Sequence, residues 1–341
     1  MAPTVADVFM EYARHEAERR SPLMVALLTG VAEDWETGGI SRAVLAPYAS
    51  DRPGSALPLR FAAALHRLVL TGQAPELAAH YPTVGGTAAP EQAWSPARRV
   101  LERHTSLVRE LTGLPCQTNE VGRAVPLLVG LAEVAARTGT PLRLLELGAS
   151  AGLNLLLDRF SCGHAWGPPD SPCRLPEPGV ALATDKLQIV ERAGCDPAPL
   201  DPRDQQARLR LASSVWGDQV DRFERLRGAL AVAVSHHVPI ERAGAAQWLT
   251  GQLAPRAAGE AGVPVVWHSI VRSYADPNEW RQVEQLTARP GVWRLSYEPD
   301  PGPNPDGIPL RLYGPDTDPT GEVLAYGTGH GPPLTPAEKQ P

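Results

Sequence analysis

Residues 143–154, Arg-Leu-Leu-Glu-Leu-Gly-Ala-Ser-Ala-Gly-Leu-Asn, set an acid two positions before one glycine and a second glycine four positions further on. Gly148 lets a strand end in a tight turn, and Gly152 lets the next helix lie close to a sheet or a ligand. Ala149, Ser150 and Ala151 keep the space above the turn clear, where a helix N-terminus directs its free N–H groups. Glu146 closes the strand and faces the crevice in which open α/β sheets bind ligands. An acid before a two-glycine turn suits a ligand with an amine or a cation. The three-glycine dinucleotide pattern is absent, so no pyrophosphate is implied. A tight strand–helix connection with no ligand accounts for the same residues.

Other side chains could share that crevice. Residues 267–269, Trp-His-Ser, end a later strand, and His268 has the chemistry of a general base near neutral pH, or of a hydrogen-bonded structural histidine. Tyr274 could line the same pocket. Glu298 ends the following strand, as a second acid of the cleft or as an exposed acid beside Pro299, and His330 follows the last strand. In residues 117–123, Gln-Thr-Asn-Glu-Val-Gly-Arg, Thr118 or Asn119 could cap the next helix, and Arg123 could pair with Glu120. Equally, Asn119, Glu120 and Arg123 could bind a polar or carboxylate substrate.

Several chemistries lack their residues. Cys162, Cys173 and Cys195 with His164 have no Cys-x-x-Cys spacing for zinc, and His268, Glu298 and His330 have no helix-face or hairpin spacing for a metal. No cysteine sits in a nucleophile signature. There is no Gly-x-Ser-x-Gly elbow and no Gly-Lys-Ser/Thr phosphate loop, which removes the hydrolase and NTPase readings.

The elements that must hold these residues fall into two halves. Apolar residues at three- and four-residue spacing predict helices over 5–18, 57–70, 95–111 and 119–137, with Ser21-Pro22 opening another. Residues 81–91 read as loop. From 141 the pattern changes to a strand over 142–147, a helix over 153–160, further strands over 237–240, 264–271 and 292–298, and helices over 204–211, 217–230, 245–253 and 277–287. Such alternation implies parallel pairing. Segments 310–313 and 323–326 read as an antiparallel pair closing the sheet. In 215–227, Asp218, Arg222 and Arg225 form a charged face. The expected domains are a helical cap over 1–138, an α/β domain over 139–332 and a flexible tail over 333–341.

Composition narrows the partners. In 341 residues, 43% are hydrophobic and 21% charged, with a net charge of -6, as in ordinary globular chains and unlike a nucleic-acid-coating surface. No apolar run reaches the length of a membrane span, and the first residues lack a signal-peptide pattern. The expectation is a cytoplasmic protein with a small-molecule partner, bound to neither nucleic acid nor membrane; oligomeric state is not legible.

The 143–154 segment resembles the first motif of class I S-adenosylmethionine-dependent methyltransferases. The chain as a whole resembles a bacterial family known only as a domain of unknown function with a methyltransferase-like half. The carrying residues are Ser21-Pro-Leu, 117–123, 144–160, Arg192 to Asp196 with Pro199-Leu-Asp201, Val215-Trp-Gly-Asp218 with Arg222, Trp267-His-Ser269 with Tyr274, Ser296-Tyr-Glu298 and His330-Gly331. The resemblance implies an α/β fold with a Rossmann-like methyltransferase-type sheet under an N-terminal helical cap. It implies S-adenosylmethionine as cofactor, held by Glu146, Gly148, Ser150, Gly152, Asn154 and Asp196. His268 would be the base, with Glu298 beside it, and Asn119, Glu120, Arg123, Tyr274 and His330 would meet a small-molecule substrate.

The sequence departs from that family pattern in four places. Ser150 occupies the middle glycine position, which the wider superfamily tolerates. The ribose-binding acid at the end of the second strand has three candidates, Asp170, Asp185 and Asp196. Only Glu241 stands near the end of the third. Trp267-His268-Ser269 occupies the place of an Asn/Asp-Pro-Pro-Tyr motif. The alternatives are an enzyme on the same fold that performs cyclisation or elimination, and a non-enzymatic binding or partner protein.

Overall fold

The computed structural model describes residues 3–17, 21–51, 55–255, 262–300, 307–315 and 317–337. It divides into two compact units. One comprises Met1–Thr118 with Gln205–Glu224, the other Asn119–Asp204 with Arg225–Pro341.

The first unit is helical, with the helices Val5–Tyr12, Pro22–Glu36, Leu57–Leu70, Trp94–Arg103 and Thr105–Thr112 around one apolar core. Ser21 caps the second of these as its spacing predicts: its hydroxyl accepts from Met24 N at 3.0 Å, with Pro22 in the first turn. The 95–111 helix is broken near His104 into two, and the 5–18 helix passes into a wider turn over Ala13–Ala17; Glu18 lies outside the described residues. Short 3-10 turns, Pro82–Val84 and Pro90–Gln92, punctuate the expected 81–91 loop.

The returning segment 205–224 completes this core. Trp216 is buried there and meets Tyr12 edge-on, with ring centroids 6.5 Å apart. His66 uses one ring nitrogen on Val215 O at 2.7 Å and the other on Thr83 Oγ1 at 2.9 Å. Asp218, expected on a charged surface, instead accepts from the Ser21 hydroxyl at 2.6 Å and from Leu23 N at 3.1 Å, adding a carboxylate to the N-terminus of helix Pro22–Glu36.

The second unit is a mixed α/β arrangement on an eight-stranded sheet. Its strands are β1 (Leu142–Leu147), β2 (Ile189–Asp196), β3 (Ile240–Arg242), β4 (Val263–Ser269), β5 (Trp293–Tyr297), β6 (Ile308–Tyr313), β7 (Glu322–Thr328) and β8 (Gly331–Pro336). The order is β3-β2-β1-β4-β5-β6-β7-β8. The first five are parallel, and β6 to β8 add antiparallel neighbours. The winding direction reverses between β1 and β4, the place where open sheets of this order form a crevice at the strands' carboxyl ends.

Alternation along β1 and β4 divides the side chains between the two faces. Leu145, Leu147 and Val266 join Trp248, Leu249, Trp280 and Val283 in a core beneath helices Ala245–Gln252 and Pro277–Thr287. Glu146 and Trp267 are register partners and point to the opposite face. On that face helix Ala124–Thr138 packs over β5 to β8, its Gly130 against Leu295. This helix therefore belongs with the sheet.

Three expectations change here. The helix after the glycine turn is a six-residue 3-10 helix, Asn154–Arg159, because Pro and Gly crowd the chain soon afterwards and an irregular segment completes the crossover to β2. β2 itself has a half-exposed face and no continuous apolar run to announce it. Residues 333–336, expected in a flexible tail, lie in β8 and pair with β7; 338–341 lie outside the described residues.

Candidate functional site

The turn after β1 alternates hand. Gly148, Ser150 and Gly152 all have positive φ, at 67°, 55° and 71°. Two can adopt it freely because they are glycine; Ser150 holds it at a cost. A Cβ on Gly148 would meet a Val271 methyl at 2.5 Å, and one on Gly152 the Ile240 methyl terminus at 2.7 Å, so a side chain at either would strain the turn by its φ and push a neighbouring side chain aside.

The protein itself takes up the turn's N–H groups. Ala149 N donates to Cys195 O, Gly152 N to Ala149 O, and Ser150 N to Asp196 Oδ2 at 2.9 Å. Ala151 N and Leu153 N both donate to Asn119 Oδ1, at 3.2 and 3.1 Å. Asn119 thus stabilises the glycine turn. These N–H groups leave little for an anion, and the surplus lies in acceptors. Among the described residues Ser150 Oγ and Asn154 Oδ1 are buried without a hydrogen-bond partner, and Glu146 Oε2 is buried with the Trp267 indole N–H beside the carboxyl but outside good hydrogen-bond geometry. Buried polar atoms are normally paired, so such a cluster points to something that binds there.

Two carboxylates bracket the turn. Glu146 stands opposite Gly194 in the β1–β2 register, and Asp196, the last residue of β2, shares its face two positions on. Gly194 has no side chain to separate them. Burial pushes the Glu146 carboxyl up to about 8; the Asn154 amide, 3.5 Å from Oε1, works against this and the Asp196 charge adds to it. Glu146 is therefore largely neutral at pH 7. Of the three acids Asp170, Asp185 and Asp196, Asp196 is the one that ends the second strand. Glu241 lies in the middle of β3, in register with Cys195.

On the opposite face His268 Nδ1 lies 2.9 Å from Glu298 Oε1, both side chains almost fully buried. Glu298 also accepts from Val271 N at 3.0 Å and from Arg272 N at 3.3 Å. Burial alone would raise Glu298, but these hydrogen bonds hold it below the usual carboxylate range. Burial lowers the His268 pKa, with Glu298 opposing. A carboxylate only accepts, so Nδ1 carries the proton and Nε2 keeps a lone pair. That Nε2 has no hydrogen-bond partner, and the ring meets Trp280 edge-on at 4.7 Å. A histidine oriented by a carboxylate, with a free lone pair, is the arrangement of a general base.

The remaining expected residues sort differently. Glu120 Oε1 accepts from Gly122 N at 3.1 Å, and Oε2 lies 3.4 Å from His330 Nδ1. Arg123 donates to Gly329 O at 3.0 Å and to Ser269 O at 3.2 Å, tying the β7–β8 turn to the end of β4. These three form a clamp between chain segments. Tyr274 is 74% exposed and joins neither cluster. Among the described residues no group of three or more His, Cys, Asp or Glu is placed to hold a metal ion, and no helix is long and apolar enough to cross a membrane.

A mixed α/β fold with its polar clusters at the strand ends is thus the class of molecule at hand. The chain belongs to the family described as an uncharacterized protein conserved in bacteria (DUF2332), whose model matches residues 6–335. No curated protein and no solved structure matches it.

Proposed function

We propose that the crevice at the carboxyl ends of β1, β2 and β4 binds S-adenosylmethionine, and that the protein is a small-molecule methyltransferase with a Rossmann-like parallel half. The observation that carries this reading is the pair of buried carboxylates, Glu146 and Asp196, on one face of adjacent parallel strands beside a left-handed glycine turn. The order β3-β2-β1-β4-β5 agrees with the resemblance drawn from residues 143–154.

The donor set fits the cofactor. Its ammonium and ribose hydroxyls are hydrogen-bond donors; Asn154 Oδ1 can only accept, the Ser150 hydroxyl can accept or donate, and the Glu146 carboxyl becomes a full acceptor when it ionises. Glu146 and Asn154 would take the ammonium and Asp196 the ribose. Bound there, the cofactor supplies an electrophilic methyl group. His268 and Glu298 stand on the other face of the sheet from these carboxylates, so methyl transfer at this crevice would rest on alignment of the acceptor with the methyl group, without a proton taken by that pair. Much of the catalysis in such transfers comes from alignment.

A second reading rests on one observation, the occupation of the turn's N–H groups by Asn119, Asp196 and the backbone. It uses the His268–Glu298 acid–base pair and replaces methyl transfer by a proton-transfer reaction such as cyclisation or elimination.

Titration calorimetry with S-adenosylmethionine and S-adenosylhomocysteine separates the two. The first reading expects saturable binding of both, weakened roughly 10- to 100-fold in Asp196→Asn and Glu146→Gln, as for a lost charge-assisted hydrogen bond. Absence of binding to the unaltered protein at millimolar ligand would remove it and leave the second.

A further inference from the structure

Away from the sheet, within the helical unit, helices Leu57–Leu70 and Gln205–Ser213 and the chain after Thr112 enclose a cavity of about 20 Å³. Its lining includes Arg60, Arg67, Cys116, Arg210, Ser213 and Ser214. Three guanidinium groups on one small cavity need anions to balance them. Among the described residues Arg60 alone has one: it pairs with Asp51 at 2.5 Å and donates to Thr112 O at 2.8 Å.

Arg67 and Arg210 are half-buried and have neutral partners instead. Arg67 donates to the Gln206 amide oxygen at 2.5 Å, and Arg210 to Pro115 O at 3.0 Å. Arg210 Nε is buried with nothing to donate to. Burial and then the nearby Arg67 charge, with Cys116 opposing, lower the Arg210 pKa. Two like charges beside one cavity, one with an idle donor, normally meet a counter-ion.

We propose that this cavity is an anion site that takes the oxygen atoms of a small carboxylate or phosphate group, bridging Arg67 and Arg210. The volume admits a water-sized group, which suits the head of an oxyanion entering past the exposed Leu114 rather than a whole metabolite. Cys116 lines the same space and is half-buried, whereas Cys162, Cys173 and Cys195 are buried elsewhere. An occupant therefore shields one thiol of four. The site is independent of the carboxylates on the sheet.

The test uses the intact protein with inorganic phosphate, and acetate in parallel, at ionic strength matched with sodium chloride. Thermal unfolding and the rate of Cys116 alkylation by iodoacetamide, read by peptide mass, are followed together. The expected result is a saturable rise in Tm of at least about 2 °C and slower Cys116 alkylation. Both effects disappear in Arg67→Gln and Arg210→Gln, and Arg210→Lys, which keeps the charge, retains part of each. A response to acetate assigns planar carboxylates, and a response to phosphate alone assigns phosphate groups. A Tm in the unaltered protein that neither anion moves overturns the proposal. So does a rise of equal size in both glutamine variants, which would mark a general salt effect.

Discussion

A single carboxyl group, Glu146, links the stability of the sheet to its proposed chemistry. Its pKa in the fold, about 8, lies far above the ordinary value of 4.5. The folded state therefore holds a proton that the unfolded chain has lost at neutral pH. The stability this confers is complete below about pH 4.5 and drains away as pH rises through 8. Glu146→Gln keeps the shape without the charge and should flatten that loss. Denaturation from pH 5 to 9 should show the variant close to the parent at the acid end and more stable, by on the order of 4 kcal/mol, at pH 8 to 9. A parent no less stable at pH 9 than its variant would show that the carboxyl is not buried as described. Glu146 and its spacing from the glycines were legible in the sequence. Its neutral state was not, because burial and the Asp196 charge come from neighbouring strands.

At the scale of elements, the glycine turn depends on a residue outside it. Asn119 Oδ1 accepts from Ala151 N and Leu153 N, so Asn119→Ala leaves two N–H groups of the turn without an acceptor. The expected cost is about 1–3 kcal/mol in urea denaturation at unchanged m-value, with Asn119→Asp recovering most of it. A loss below a few tenths would mean that water replaces the amide and that the turn is not rigidly held. The sequence offered Asn119 as a helix cap or a substrate ligand. It caps a turn some thirty residues further along the chain, a contact that no local pattern encodes. The helices, and β1 with β4 and β5, were legible from periodicity and apolar runs. β2 was not, because Ile189–Asp196 alternates weakly on a half-exposed face. β8 was hidden by its prolines, which an edge strand tolerates because one side of it has no partner to bond.

At the scale of the whole chain, neither compact unit is continuous. The helical unit takes back 205–224 after the chain has built β1 and β2, so distant segments must meet before either core closes. Trp216 fills the helical core at 8% exposure, and Trp216→Ala should cost about 3–5 kcal/mol. Hydrogen exchange should then quicken in helices Pro22–Glu36 and Leu57–Leu70; unchanged protection there would contradict the assignment of 205–224 to that core. The central claim, that the strand-end carboxylates hold S-adenosylmethionine, concerns the intact protein. It is tested most directly by titrating the cofactor at pH 7 in two buffers of different ionisation enthalpy. Glu146 enters the complex neutral and must ionise against the ammonium. The account therefore predicts saturable binding with release of close to one proton in the parent, and neither tight binding nor that release in Glu146→Gln. Binding with no proton exchange, or equal binding by parent and variant, would contradict it.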